Sequence, residues 1–305
     1  MKMAICGGTG FIGSALADYW LEKGHEITVV TRKIKPESYT AGTSNSPRLI
    51  TWKELADSPE HLEGLDALVN LAGSSLNQRW TSAGKQRILE SRLKSVQAVA
   101  ELIRRLKSKP SVVIQGSAIG IYGTSLTAEY DENSRTSPTD FLSEVTTQWE
   151  QASQALQMGG VRVVNLRTGV VLGRSGGAFP LMSLPFRLGF GGRVGTGQQW
   201  MSWIHLMDIV RLIDFCVMNP DLHGPVNAVS PFPVTNETFG RTLARVYHRP
   251  YWFPLPAFLL KLALGEQSTL LLDGQRVIPL KAEEAGFTFK YPHLQQALEE
   301  IRSRI

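Results

Sequence analysis

Three glycines near the amino terminus have the spacing needed to bind a phosphate group. Gly7, Gly10 and Gly13 follow a short apolar run and open an amphipathic segment that ends at Lys23. Gly7 suits a tight turn, Gly10 leaves space for an anion beside the main chain, and Gly13 lets a helix pack closely on a strand. Free amides and the dipole at such a helix start attract a pyrophosphate. We therefore predict a dinucleotide site formed by Gly7, Thr9, Gly10, Phe11, Ile12 and Gly13.

The end of the second predicted strand indicates which dinucleotide is expected. Thr31, Arg32 and Lys33 follow the apolar run 27–30, and no acidic residue occurs before Glu37. A carboxylate here would bind a ribose 2′-hydroxyl, whereas an arginine accommodates a 2′-phosphate. The two cations favour NADP(H) over NAD(H), although two solvated charges on a loop would produce the same pattern.

A serine and a tyrosine are the candidates for proton chemistry. Ser117 and Tyr122 follow the apolar run 112–115, which is typical of a strand buried on both faces. Hydroxyl groups beyond the carboxyl end of a central strand are suited to polarising a carbonyl group. We therefore predict that Ser117 and Tyr122 are catalytic residues.

Two other strand ends supply the remaining expected contacts with the cofactor. The apolar run 67–70 ends in small residues, which give a ligand access to the backbone, and the run 161–167 leads into a glycine-containing turn. The residues expected to contact the cofactor at the first of these ends are Leu71, Ala72 and Gly73, and Thr168 begins the turn at the second.

The elements that must position these residues alternate between strand and helix patterns. Apolar strands separated by amphipathic helices, the longest of them about 82–107, predict an α/β fold with a doubly wound parallel sheet of the Rossmann type. In such a sheet the carboxyl ends of the strands meet at one edge. The glycine loop, Arg32, Ser117 and Thr168 should therefore lie along one crevice.

Composition restricts the class of protein. The chain has 305 residues, 43% of them hydrophobic and 19% charged, which is ordinary for a globular protein. Its net charge of +5 comes from scattered basic residues without aromatic interleaving, so we expect no nucleic-acid partner. Cys6 and Cys216 are isolated in apolar runs and predict buried thiols; no residues have metal-site spacing.

The same patterns give an expectation for the compartment. The first predicted strand begins at residue 2, and the apolar stretch 253–264 is short and interrupted by prolines and a lysine. We expect a cytoplasmic protein with no membrane partner.

Six stretches spread over nearly the whole chain resemble the extended and atypical short-chain dehydrogenase/reductase superfamily, most closely epimerase-family proteins of the SDR39U1 type. The matching stretches are 7–13, 70–73, 117–123, 167–173, 202–205 with Asp208, and 274–279. The resemblance implies a Rossmann fold, NADP(H) binding, and oxidoreductase or epimerase-like chemistry on a small molecule that the family does not identify. It also implies that the turn beginning at Thr168 lies along the nicotinamide, so Thr168 is expected to contact the cofactor. The resemblance does not decide whether the protein forms a homodimer.

The resemblance also implies a second, smaller and mostly helical C-terminal domain on the substrate side. The expected boundaries are 1–178 for the NADP-binding domain, with 206–230 returning to it, and 179–205 with 231–305 for the smaller domain. His205 and Asp208 are expected to join the two domains. The glycine- and aromatic-rich stretch 179–203 predicts a shaped loop over a pocket, in which Arg187 or Arg193 is a candidate partner for a carboxylate or phosphate.

One departure from the superfamily affects the chemistry. Active members carry a Tyr and a Lys, with three residues between them, on the helix after the serine loop, and the Lys lowers the pKa of the Tyr for proton exchange. Here that helix starts near Asp140, and Phe141 and Val145 occupy the two positions. Neither side chain can transfer a proton.

Three explanations for this departure stay open. Tyr122 is the acid, with Ser117 or Thr124 beside it, although no lysine nearby in sequence would lower its pKa. Alternatively, Glu144 or Glu150 serves from the following helix. Or the protein binds the cofactor without turnover and acts through a protein partner, a role related to division.

Overall fold

The computed structural model describes residues 1–34, 46–136 and 138–303. The polar stretch 33–46 falls largely outside the described residues. The described strands are β1 Lys2–Cys6, β2 Glu26–Thr31, β3 Arg48–Thr51, β4 Ala67–Asn70, β5 Val112–Ala118, β6 Glu129–Tyr130, β7 Arg162–Thr168, β8 Val170–Leu172, β9 Trp200–Met201, β10 Trp203–His205, β11 Gly224–Ala228, β12 Val234–Thr235 and β13 Arg276–Val277.

Helices cover both faces of the main sheet and form the carboxyl-terminal region. They are α1 Phe11–Glu22, α2 Trp52–Asp57, α3 Ser82–Arg105, α4 Phe141–Ser153, α5 Phe179–Arg187, α6 Leu206–Met218, α7 Asn236–Tyr247, α8 Ala257–Leu264, α9 Thr269–Leu272, α10 Leu280–Glu284 and α11 Leu294–Ser303. Short 3-10 helices cover Pro59–Leu62, Ile119–Tyr122, Gln154–Leu156 and Gly265–Ser268.

The main sheet has seven strands in the order β3-β2-β1-β4-β5-β7-β11, and every neighbouring pair is parallel. This is the doubly wound order, with the chain reversing direction across the sheet between β1 and β4. The predicted fold class, a Rossmann α/β sheet with a smaller helical region, is confirmed. All functional strand ends therefore lie along one edge.

Two apolar layers hold the sheet between helices. On one face, α1 and α6 pack against the sheet through residues such as Trp20 and Ile213, and on the other α3 packs through Val99 and Ile103. Burial on both faces explains why the central strands are almost continuously apolar in sequence.

A third cluster forms the smaller helical region. It joins α5, α7 and α11 through side chains that include Phe179, Phe239 and Leu298. The expected loop 179–203 was partly wrong, because its first nine residues form α5. Pro180 lies in the first turn, where a helix tolerates proline because no amide is needed there. The boundaries assigned to the two domains stay a prediction.

His205 and Asp208 connect the sheet to the carboxyl-terminal segment. His205 caps the start of α6 and pairs with Glu300 at 3.0 Å. Asp208 is fully buried and accepts hydrogen bonds from the backbone amides of Lys290 (2.7 Å) and Tyr291 (2.8 Å). Both residues thus have structural contacts that hold the chain end onto α6.

Within the described ranges, no helix is both long and apolar enough to cross a membrane.

Replacing Asp208 by alanine should loosen the carboxyl-terminal segment. Two backbone amides and Arg211 lose their acceptor, so the free energy of unfolding should fall by about 3–5 kcal/mol. Urea denaturation followed by tryptophan fluorescence measures this loss, and limited proteolysis should cut first within 288–303. Asp57→Ala, at an exposed position, is the matched control. Equal stability of the two variants would contradict the anchoring role.

Candidate functional site

The glycine loop brings the ends of β1 and β4 into close contact. Gly7 has a φ of +83°, and a Cβ built on it would lie 2.9 Å from the carbonyl carbon of Leu71. A Cβ on Gly13 would lie 2.5 Å from the Gly7 carbonyl oxygen, and one on Gly10 would lie 3.2 Å from that same oxygen. The loop therefore requires glycine at Gly7 and Gly13 for its own packing, before any ligand is considered.

The first turn of α1 is open to an anion. Its cap residue is Gly10, which has no side chain that could bond to the helix. No acidic residue occurs in the first turn. The amides at a helix start are unpaired within the helix and carry a partial positive charge. Here nothing in the described first turn competes for them, so the backbone can bind a phosphate.

The other predicted loop residues have different environments. Thr9 is exposed at the tip of the loop, and Ile12 is half-buried against the core. The ring of Phe11 packs against the segment that follows β8. The contact is so close that a Cβ built on Gly173 or on Gly176 would lie 2.6 Å from the ring. Its side chain is thus structural, which leaves its backbone at the helix start for a ligand.

The residues predicted to select the dinucleotide lie at the end of β2 and directly after it. In the register of the sheet Cys6 lies opposite Val30, so the residues after β2 stand beside the glycine loop. Thr31 is half-buried and its hydroxyl donates to the Lys33 carbonyl at 3.3 Å. Arg32 and Lys33 are exposed and have no ion pair with any described residue. Both cations therefore lie at the surface beside the glycine loop.

Side chains of α3 pack against the segment that follows β4. Ser95 donates to the Ala72 carbonyl at 3.1 Å, and the side chain of Arg92 lies against Gly73 and over the ring of Trp149. Burial lowers the pKa of Arg92 to about 10. Leu71 donates its amide to the end of β1. These contacts fix Leu71, Ala72 and Gly73 beside the glycine loop.

Ser117 belongs to a buried ion-pair network. Its hydroxyl donates to Glu150 Oε1 at 2.6 Å, and Arg167 holds both oxygens of that carboxylate with two bonds of 2.9 Å. Burial lowers the pKa of Arg167, but the hydrogen bonds and charge of Glu150 outweigh this effect and raise it overall. The carboxylate orients both Ser117 and Arg167.

Tyr122 extends the same network. Its hydroxyl accepts a hydrogen bond from Arg167 Nη1 at 2.8 Å and donates one to Asn227 Oδ1 at 2.9 Å, and the residue is 4% exposed. Burial raises the pKa of Tyr122 to about 12. A phenol with both hydrogen-bonding roles occupied and a raised pKa is better suited to positioning than to direct proton transfer.

Sequence reasoning did not single out the last members of this network. Asn227 donates its backbone amide to the buried Glu132 at 2.9 Å, and Glu132 also accepts from the amide of Lys281. Burial raises the pKa of Glu132 and lowers that of Lys281. The available signal was a lone asparagine within the apolar strand β11. The chain of contacts links the sheet edge to the carboxyl-terminal region.

The positions of the missing Tyr-Lys pair are apolar in space as well as in sequence. Val145 is 4% exposed, and Phe141 begins α4 with its ring 5.2 Å from that of Trp80. The Lys85 ammonium lies 5.0 Å from the centre of the Phe141 ring and pairs with Glu266. A cation therefore stands near this position, supplied by α3.

The remaining candidate residues have separate environments. Thr168 ends β7 opposite Ala118, and its hydroxyl donates to a backbone carbonyl at 3.3 Å. Glu144 is exposed on α4. Cys6 and Cys216 are buried free thiols, and burial raises the pKa of both. In the described part of the chain no cluster of three His, Cys, Asp or Glu residues could hold a metal ion.

Removing the Tyr122 hydroxyl should destabilise the fold. Tyr122→Phe leaves Asn227 Oδ1 and one Arg167 N–H without partners, which should cost about 1–3 kcal/mol in urea denaturation. Tyr130→Phe is the matched control, because Tyr130 stacks on Tyr122 and its hydroxyl bonds to no described residue. A Tyr122→Phe protein as stable as the Tyr130→Phe protein would show that the network is not structural.

Comparison with known proteins identifies the chain's relatives. Residues 3–229 match the NAD dependent epimerase/dehydratase family, and residues 255–301 match a domain of unknown function, DUF1731. Epimerase family protein YfhF of Bacillus subtilis is 43% identical over 302 residues, which cover 99% of this chain and 98% of that protein. Epimerase family protein SH2119 of Staphylococcus haemolyticus is 41% identical over 305 residues, 98% of each chain.

Solved structures agree with these matches. Human epimerase family protein SDR39U1 (isoform 2), crystallised with NADPH, has a TM-score of 0.92 and 39% identity, and 100% of both chains is covered. UDP-glucose 4-epimerase of Thermus thermophilus, in complex with NAD, has a TM-score of 0.75 at 16% identity, with 100% of both chains covered. That lower identity shows the fold alone. The resemblance inferred from sequence is confirmed, and the chain belongs to the NAD dependent epimerase/dehydratase family.

Proposed function

We propose that this protein is an NADP(H)-dependent oxidoreductase, or an epimerase-like enzyme, that acts on a small molecule. The observation that carries the proposal is the open start of α1 beside two cations that have no partner among the described residues, Arg32 and Lys33. This arrangement suits a ligand with a pyrophosphate and a further phosphate on its adenosine side. The NADPH bound by the human relative supports the same assignment.

Each group at the edge of the sheet has a defined task in this proposal. The backbone amides at the start of α1 hold the pyrophosphate, and Arg32 with Lys33 holds the 2′-phosphate. Leu71, Ala72, Gly73 and Thr168 border the cofactor along the edge of the sheet. The bound nicotinamide supplies or accepts a hydride.

Ser117 is the proposed group that orients the substrate carbonyl. The single proton of its hydroxyl is donated to Glu150 at 2.6 Å, so Ser117 polarises a carbonyl by exchanging that hydrogen bond for one to the substrate. Catalysis by Tyr122 stays a prediction, and the contacts of its hydroxyl favour a role in positioning Arg167. The proton donor is not assigned to Glu144, whose side chain is exposed on α4.

A second candidate function is favoured by the apolar pair Phe141 and Val145. With no proton-transferring side chain at either position, the protein would bind NADP(H) without turnover and act through a protein partner in a regulatory, division-related role. We propose in either case a cytoplasmic protein that binds no nucleic acid and does not span a membrane; a homodimer stays a prediction.

Cofactor preference tests the binding half of the proposal. The purified protein should bind NADPH more tightly than NADH, and Arg32→Ala should weaken NADPH binding by about 10- to 100-fold, because a charge-assisted contact with the 2′-phosphate is lost. Nicotinamide fluorescence measures both affinities. Arg48→Ala, at the amino end of β3, is the matched control. Unchanged NADPH affinity in the Arg32 variant would contradict the assignment.

Hydride transfer separates the two candidate functions. NADPH deuterated at the nicotinamide should label a product when the protein is incubated with a metabolite extract, and mass spectrometry detects it. Ser117→Ala should reduce labelling by about 100-fold, since a polarising hydroxyl is lost, whereas Ser111→Ala at the opposite end of β5 should not. Tight NADPH binding with no labelled product would exclude a reductase, and it would leave the protein without turnover or an epimerase-like enzyme that returns the hydride to the same molecule.

A further inference from the structure

Three arginines and a tyrosine line a depression on the helical region. The cavity has a volume of about 390 Å³ and is lined by Arg187, Tyr247, Arg249 and Arg302. A second depression of about 180 Å³ shares Arg187 and Tyr247 and extends along α5 to a fourth arginine, Arg174. The larger volume lies within the ~300–1,000 Å³ of small-molecule sites.

No negative charge balances these arginines within the described chain. Neither depression is lined by an acidic residue, and Arg174, Arg187 and Arg249 make no ion pair with any described residue. All four arginines are exposed, so water and salt screen most of their mutual repulsion, and the repulsion grows where a ligand displaces that water. An anion bound among them would remove this repulsion.

The backbone fixes the turn that carries two of the residues lining this depression. Arg302 donates to the Val246 carbonyl at the end of α7. His248 then turns the chain with a φ of +53°, the only positive value at a described non-glycine residue, and the Arg249 amide returns to the Ala244 carbonyl at 2.9 Å. Tyr247 and Arg249 therefore flank a fixed turn and both reach the cavity. Such a left-handed turn persists only where its surroundings support it.

The types of side chain indicate the class of ligand. Guanidinium groups bind phosphate oxygens through paired, parallel hydrogen bonds, and a phenol adds one neutral donor. Burial raises the pKa of the half-buried Tyr247, so its hydroxyl keeps its proton at neutral pH. The surface next to Arg187 is apolar, because Leu184 and Leu188 are 45% and 62% exposed. A phosphate that carries an apolar group fits both features.

We propose that Arg187, Arg249, Arg302 and Tyr247 form a second anion site, which binds the phosphate group of an organic phosphate. This site goes beyond the proposed cofactor function and uses none of its residues. Two sources share the chemistry: a soluble phosphate ester and the headgroup of an anionic lipid.

The test removes two of the cavity's charges at once. With the protein saturated by NADPH, calorimetric titration with pyrophosphate should show binding that weakens at least about tenfold in Arg187→Gln/Arg249→Gln. The matched control, Arg48→Gln/Arg104→Gln, removes two exposed charges on β3 and α3 and should bind as the unaltered protein does. Because the two double variants are compared directly, the result localises the site even if NADPH itself fails to bind.

A second arm identifies the source of the phosphate. Sedimentation with phosphatidylglycerol vesicles, compared with phosphatidylcholine vesicles, tests the lipid headgroup. Loss of vesicle binding only in the cavity variant would support the site with a lipid source, whereas loss of pyrophosphate binding alone would support a soluble one. Equal behaviour of the cavity and control variants in both arms would overturn the proposal.

Discussion

The pairing of Arg167 with Glu150 is the interaction on which the edge of the sheet depends. Both side chains are largely buried, with 7% and 15% of their surfaces exposed, and the guanidinium holds both carboxylate oxygens. Two charges removed from water are costly, and losing one partner typically costs about 3–5 kcal/mol. Ser117 and Tyr122 satisfy remaining hydrogen-bonding groups of this pair, so their positions follow from it.

The pair also explains how two regions of the chain act as one structure. From Arg167 the contacts pass through Tyr122 to Asn227, then through Glu132 to the backbone at Lys281. A polar network of this kind is stable only when each member is satisfied, because an unpaired polar group in a low dielectric is destabilising. The strand end that would border the nicotinamide is thereby tied to the carboxyl-terminal region.

Local patterns predicted the parts of the site that local chemistry determines. The glycine spacing, the cations after β2 and the apolar strands were enough to infer a Rossmann sheet and its ligand edge, since each depends on neighbours in sequence. The contacts of Ser117 with Glu150, or of Tyr122 with Asn227, join residues 33 and 105 positions apart. Residue types alone do not show which of several buried polar groups meet, so the structural role of Tyr122 was not foreseen. Helix α5 was also missed, because its two prolines and the following glycines are typical of loops.

The packing of Phe11 has a consequence for the divergence of related chains. Glycines 173 and 176 leave the space that the ring occupies, and a single added carbon at either position would lie 2.6 Å from it. A side chain can thus arise at these glycines only after residue 11 has become smaller, and a large residue 11 can persist only while they stay glycine. Position 11 and positions 173 and 176 should therefore covary among related chains, although α1 and the segment before α5 are far apart in the sequence.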